Sequence, residues 1–206
     1  MMRLLFIIVI SIQFAWGQVW GWSIYDWQRT VTLAQVQDKI KKGADINARS
    51  KYGMTVLMYA AVSNKHSGFI TVLLKAGADI NAKDISGKTA LIWAVAPVML
   101  LEKSPPIIKA LSKPGPDANR KALRDVVKVL LNAGADPNAR DKIGNTALMY
   151  AAIGNKNPKA IKALLDAGAD PKLTNKNGKT ALDYVKDNAA LKDSKARDML
   201  KDAANK

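Results

Sequence analysis

Residues 141–170 read DKIGNTALMYAAIGNKNPKAIKALLDAGAD, and the architecture of the chain follows from them. Asp141 opens a tight turn in which Gly144 takes the positive φ that other residues avoid. Thr146 stands where a helix begins, so its hydroxyl can accept from the first orphan amides. Residues 147–153 form a short apolar helix. Residues 155–158 turn the chain, and Pro158 suits the first turn of a second helix. That helix, over 160–167, carries Ile161, Leu164 and Leu165 on one stripe. Gly168 ends it as a left-handed cap, and Asp170-Pro171 leads to the next turn. The unit is turn, helix, turn, helix, loop.

The unit recurs. Gly-x-Thr occurs at Gly53, Gly87, Gly144 and Gly178, with spacings of 34, 57 and 34 residues. Gly-Ala-Asp occurs at Gly43, Gly77, Gly134 and Gly168, with the same three spacings. Two markers keeping one rhythm define a repeat array in which each unit buries its faces on its neighbours.

The units resemble the ankyrin repeat. That family's pattern runs Asp-x-x-Gly-x-Thr-Pro-Leu-His-x-Ala-Ala, then a second helix ending Leu-Leu, then Gly-Ala-Asp-x-Asn. Here it stands as SKYGMTVLMYAA (50–61), DISGKTALIWAV (84–95) and DKIGNTALMYAA (141–152). The second helices end Leu73-Leu74, Leu130-Leu131 and Leu164-Leu165. The family proline is replaced by Val56, Ala90 and Ala147, and the family histidine by Met58, Ile92 and Met149, which implies apolar packing in place of a polar brace. The resemblance implies an all-α ankyrin-repeat solenoid of three full repeats with N- and C-terminal capping units. The boundaries are an N-terminal cap at 18–49, repeats at 50–83, 84–140 and 141–174, and a C-terminal cap at 175–206. The end of that cap, 192–206, reads as charged all round, as a solvated solenoid end requires.

The middle repeat carries an insertion between its two helices, at about 97–118. The first helix ends near Ala96-Pro97 and the second runs over about 119–131. Pro105, Pro106, Pro114 and Pro116 forbid one continuous helix. Met99, Leu100, Leu101, Ile107, Ile108 and Leu111 are too apolar for a bare loop, so residues 106–111 read as one or two helical turns folded back on the stack. The segment is either a partner-specific protrusion or padding around its own small core.

Composition narrows the chemistry. The chain has 206 residues, no cysteine and one histidine, His66. No thiolate metal site, disulfide or cysteine nucleophile is available, and a multi-histidine metal site or a Ser-His-Asp triad with a spare base is excluded. His66 reads as an ordinary turn residue. Asp45, Asp79, Asp136 and Asp170 are too far apart to act as an acid–base pair and belong to local turns. No enzyme activity and no cofactor are expected. The net charge is +15, from 32 basic and 17 acidic residues. The basic residues are dispersed, which suits solubility; an electrostatic partner site is the other reading.

Residues 1–17 read as a cleaved signal peptide. A short basic start precedes an apolar run over 4–16, and Ala15-Trp16-Gly17 sets small residues for cleavage before Gln18. An uncleaved anchor is the alternative. Without cysteine or any Asn-x-Ser/Thr site, the exported chain suits a bacterial periplasm, with secretion as the alternative. Trp20, Trp22, Tyr25 and Trp27 follow, either as a cap on the first repeat or as an aromatic contact for a partner or membrane interface.

Tyr59, Trp93, Tyr150 and Tyr184 share one slot in four units. They read as inter-repeat packing rather than a recognition strip. Partner contacts follow from the resemblance, position by position. They are Lys51, Tyr52, Met54, Val62 and Ser63; then Ile85, Ser86, Lys88 and Ala96; then Lys142, Ile143, Asn145 and Ile153; and Lys176, Asn177 and Lys179 in the cap. Lysines mixed with exposed apolar residues suit a protein surface with acids around an apolar centre. A protein partner is therefore expected, with no nucleic acid and no stable membrane insertion after cleavage, the chain itself being a monomer. The chain resembles the periplasmic ankyrin proteins of Gram-negative bacteria, some of which bind cell-wall peptidases as self-protection proteins. The expected function is an exported inhibitor of that kind. The alternatives are a generic periplasmic scaffold, including one linked to oxidative stress, and a secreted host-directed effector.

Overall fold

The computed structural model describes residues 20–21, 31–63, 67–96, 118–154, 158–188, 191 and 195–205. The signal peptide, Trp22, Tyr25, Trp27, His66 and the insertion residues Met99, Leu100, Leu101, Ile107, Ile108 and Leu111 lie outside them. The described residues form α-helices, turns and loops, with no strand among them. In chain order the helices are α1 (Leu33–Lys41), α2 (Val56–Ser63), α3 (Ser67–Lys75), α4 (Ala90–Val95), α5 (Ala118–Asn132), α6 (Ala147–Gly154), α7 (Pro158–Asp166), α8 (Ala181–Asp187) and α9 (Lys195–Ala204).

They stack in two layers. The inner layer is α2, α4, α6 and α8, each packed on the next. The outer layer runs α1, α3, α5, α7 and α9, again each on the next. The sequence sets this division. Inner helices such as VLMYAAVS and ALMYAAIG are apolar on every side, and a helix of that kind is stable only when enclosed. Residues 56–62, 90–95 and 147–152 are all buried. Outer helices carry one apolar stripe: Phe69, Ile70 and Leu73 on α3; Ala160, Ile161 and Leu164 on α7. Met58, Ile92 and Met149, which replace the family histidine, sit in this core at 0–1% exposure, so packing does substitute for the polar brace.

Helix ends are specified locally. The threonine of Gly-x-Thr caps three inner helices: Thr89 Oγ1 accepts from Ile92 N (3.4 Å), Thr146 from Met149 N (3.3 Å) and Thr180 from Asp183 N (3.3 Å). Thr55 holds the same slot, but its hydroxyl is unpaired. Each Gly-Ala-Asp forms one paired C-terminal cap. At Gly168 (φ 85°) the glycine N–H donates to Leu165 O and the Ala169 N–H to Leu164 O, at 3.0 and 2.9 Å.

The two ends close the stack in different ways. Trp20 is the described member of the N-terminal aromatic cluster; it lies in a turn, packs on the core, and donates from Nε1 to Asp45 O at 2.7 Å. At the other end, α9 is not charged all round. Ala196 and Leu200 are fully buried with Leu191, and the helix rests on α7 and α8. Lys195, Asp198, Lys201 and Asp202 face outward, so the cap closes the core as well as facing solvent. Among the described residues no helix is long and apolar enough to cross a membrane.

Candidate protein-binding surface

The connections before the inner helices project as a row of four tips, at 50–54, 84–88, 141–145 and 175–179. Each is wound around its first side chain. In the third, Asp141 Oδ1 accepts from Ile143 N (3.0 Å) and Asn145 N (2.9 Å). Asp84 does the same for Ser86 N and Lys88 N, and Asn175 for Asn177 N and Lys179 N. Ser50 Oγ accepts from Tyr52 N and Met54 N, more loosely at 3.3 Å. These turn-forming residues are buried, at 6–8% exposure.

Nine residues on, the aromatic slot braces the same side chain. Trp93 Nε1 donates to Asp84 Oδ2 (3.1 Å) and the Tyr150 hydroxyl to Asp141 Oδ2 (2.6 Å). In the last unit the direction reverses: Asn175 Nδ2 donates to the Tyr184 hydroxyl at 2.7 Å. Burial raises the Tyr150 pKa far above that of an ordinary tyrosine, reinforced by the Asp141 carboxylate, and burial raises Tyr59 as well. The Tyr150 phenol stays protonated and keeps donating. Trp93 and Tyr150 are 4% and 3% exposed, which makes the aromatic slot a brace and not a recognition strip.

The tips are tied to one another. Ile85 N donates to Tyr52 O, Lys142 N to Ser86 O and Lys176 N to Ile143 O, at 2.9–3.1 Å. Gly87 (φ 79°) permits this approach, because a Cβ there would stand 2.9 Å from Lys142 N. Two side-chain ladders run parallel. Asn47, Asn81 and Asn138 each accept from the backbone N–H of the next unit's aspartate, Asp79, Asp136 and Asp170. Each also donates to the next unit's cap glycine, Gly77, Gly134 and Gly168. Arg49, Lys83 and Arg140 each donate to a carbonyl one unit on: Lys83 O, Arg140 O and Thr174 O. Both ladders end at the last unit, where Lys172 and Thr174 take the corresponding places.

The resemblance-derived contact residues divide on this frame. Lys51, Ile85, Ser86, Lys142, Ile143, Lys176, Asn177 and Lys179 are exposed; Tyr52, Lys88, Ala96 and Ile153 are partly buried. The Ser63 side chain lies outside the described set. Met54, Val62 and Asn145 are buried, at 1%, 6% and 4%, and are withdrawn from the accessible face. Met54 and Val62 belong to the core. Asn145 Oδ1 accepts from Asn175 Nδ2 at 2.7 Å and links two units. Ile85 and Ile143 stand out, at 57% and 55% exposed.

Elsewhere the surface holds little convergent chemistry. An open cleft between α5 and α7 is lined by Lys128, Leu131, Asn132, Ala163, Asp166 and Ala167. Asp45, Asp79, Asp136 and Asp170 each accept from the amide two residues on, as local turns. Asp183 is held down to about 2 by the Thr180 amide and hydroxyl and by Lys186, inside a capping box. No group of His, Asp and Glu suited to a metal occurs among the described residues.

The comparisons agree with this geometry. The family model described as "Ankyrin repeats (3 copies)" matches residues 32–122 and 118–191. No curated protein matches the chain.

Proposed function

Since the chain belongs to the ankyrin-repeat family and is a protein-binding module, we propose that it is exported to a bacterial periplasm and there restrains an enzyme, such as a peptidoglycan peptidase. The observation that carries the binding reading is the tip row. Its backbone is fixed by turn side chains, aromatic braces and inter-unit bonds, and it holds Ile85 and Ile143 out in water. A rigid frame presenting apolar side chains loses little conformational entropy on binding. Export is supported by the N-terminal pattern ending in Ala15-Trp16-Gly17, and the inhibitor role by the resemblance to periplasmic ankyrin proteins. The test is affinity capture from a periplasmic extract, followed by assay of the captured enzyme with and without this protein. Stoichiometric capture of a cell-wall peptidase whose activity falls on binding supports the proposal. Capture of no protein, or of a peptidase whose activity is unchanged, rejects it.

A further inference from the structure

The tip row has a charge pattern that selects among protein partners. Its two aspartates, Asp84 and Asp141, are buried and turned inward onto turn amides and aromatic donors. Its outward ionic groups are cations. Among the described residues no carboxylate pairs with Lys88, Lys142 or Lys176. The Lys88 ammonium lies 4.8 Å from the Trp93 ring centre and 5.5 Å from that of Tyr150, bridging two adjacent repeats. Both rings have their polar atoms occupied, so each presents a face to the cation. Lys88 is partly buried, and its ammonium is held in place before any partner arrives.

We propose that this row receives an acidic polypeptide segment with apolar side chains between its carboxylates, one carboxylate seating on Lys88 and the apolar side chains on Ile85 and Ile143. The inference rests on the protein-binding reading and narrows it to one partner chemistry. Consecutive tips are bonded through their backbones and lie about 10 Å apart, the spacing of the helices beneath them. An extended chain advances about 3.3 Å per residue, so about ten residues span the row of four tips. Lys142 and Lys176 meet carboxylates further along. A phosphate polymer is a poorer occupant. It has nothing to bury against two isoleucines, and Tyr59, Trp93 and Tyr150 are enclosed, beyond stacking on bases.

The test uses protein purified from cells expressing the full 206-residue chain and three synthetic decapeptides: alternating Glu and Leu, all Glu, and alternating Lys and Leu. Titration calorimetry is paired with amide and indole NMR shifts. The Glu–Leu peptide should bind at least about tenfold more tightly than either other peptide, weaken as salt rises, and shift Ile85, Ile143 and the Trp93 indole N–H. Lys88→Met keeps an unbranched stem over the rings while removing the charge, and should weaken binding about tenfold. The NMR spectrum of that variant reports whether the fold is kept; Ile85→Ser, at an exposed position, gives a second variant expected to lose affinity. Equal binding of the Lys–Leu peptide, unchanged affinity in Lys88→Met and Ile85→Ser, or no Glu–Leu binding at millimolar concentration overturns the inference. Enzyme capture that persists at full affinity in both variants leaves the function standing and this inference rejected. Glu–Leu selectivity without enzyme capture does the reverse.

Discussion

Asp84→Asn and Asp141→Asn are the same substitution at equivalent places in two repeats, with the same change in net charge. The structure separates them sharply. In both, Oδ1 must go on accepting two turn amides, at 2.7 and 2.9 Å from Asp84 and 3.0 and 2.9 Å from Asp141. The new amide nitrogen therefore replaces Oδ2. At Asp141 it faces the Tyr150 hydroxyl, which can turn its hydrogen away and accept, as Tyr184 accepts from Asn175. At Asp84 it faces the Trp93 indole N–H, which only donates. Two buried donors then confront each other. Losing a hydrogen bond to a charged group costs about 1.5–3 kcal/mol, and setting buried donors against each other adds about 1–3 kcal/mol. Asp84→Asn should cost about 3 kcal/mol and Asp141→Asn about 1 kcal/mol, by these magnitudes. With a urea m-value of about 2 kcal/mol/M, the midpoints fall by about 1.5 M and about 0.5 M. The assay is urea unfolding followed by circular dichroism. Trp93→Phe removes the confronting donor, so Asp84→Asn should cost less in that background than alone. Equal losses for the two asparagine variants, or a midpoint for Asp84→Asn within about 0.2 M of wild type, would refute the brace and its polarity.

Three further outcomes follow from the same structure. Leu148 is 1% exposed in the central inner helix, so Leu148→Asp buries a charge between repeats and should abolish cooperative melting; an unchanged melting curve by circular dichroism would contradict the stacking. Gly77→Ala, at φ 89° with open space around it, should cost about 1 kcal/mol, whereas Gly87→Ala also drives a Cβ into Lys142 N and should cost clearly more, as urea midpoints would show. The Asp183 carboxyl, depressed to about 2 from 3.8, contributes stability that is present above about pH 3.8 and lost as pH falls through about 2. The side chain is 38% exposed and partly screened by solvent, so Asp183→Ala should cost only about 0.5–1 kcal/mol at neutral pH. Carboxyl carbon shifts followed by NMR should titrate near 2, and titration near 3.8 would contradict the capping box.

The fold was legible because its punctuation is local. Gly168, Thr146 and Pro158 act within one turn of themselves, so residue types placed the helix ends to within two residues, as at 160–167 against the observed Pro158–Asp166. The apolar replacements Met58, Ile92 and Met149 announced their burial by composition. The contact face was less legible, because a family position does not report what its neighbour does. Asn145 looks available in sequence, but Asn175, thirty residues on, turns it inward. Arg49, Lys83 and Arg140 passed as dispersed surface charge, although their 34- and 57-residue spacing was the visible signal of a ladder between repeats. The nine-residue step from Asp84 to Trp93 and from Asp141 to Tyr150 was also present, but hydrogen-bond direction is a property of geometry. The buried side of α9 was obscured by the lysines and aspartates around Ala196 and Leu200.

The most direct measurement places a photo-crosslinking amino acid at Ile143 and, separately, at Lys162 on the outer helix α7, in cells that produce the protein. The account predicts a single discrete adduct with a periplasmic enzyme from position 143 and none from position 162. Adducts from position 162 alone, or none from either, would contradict the claim that the tip row of this repeat stack is its protein-binding face.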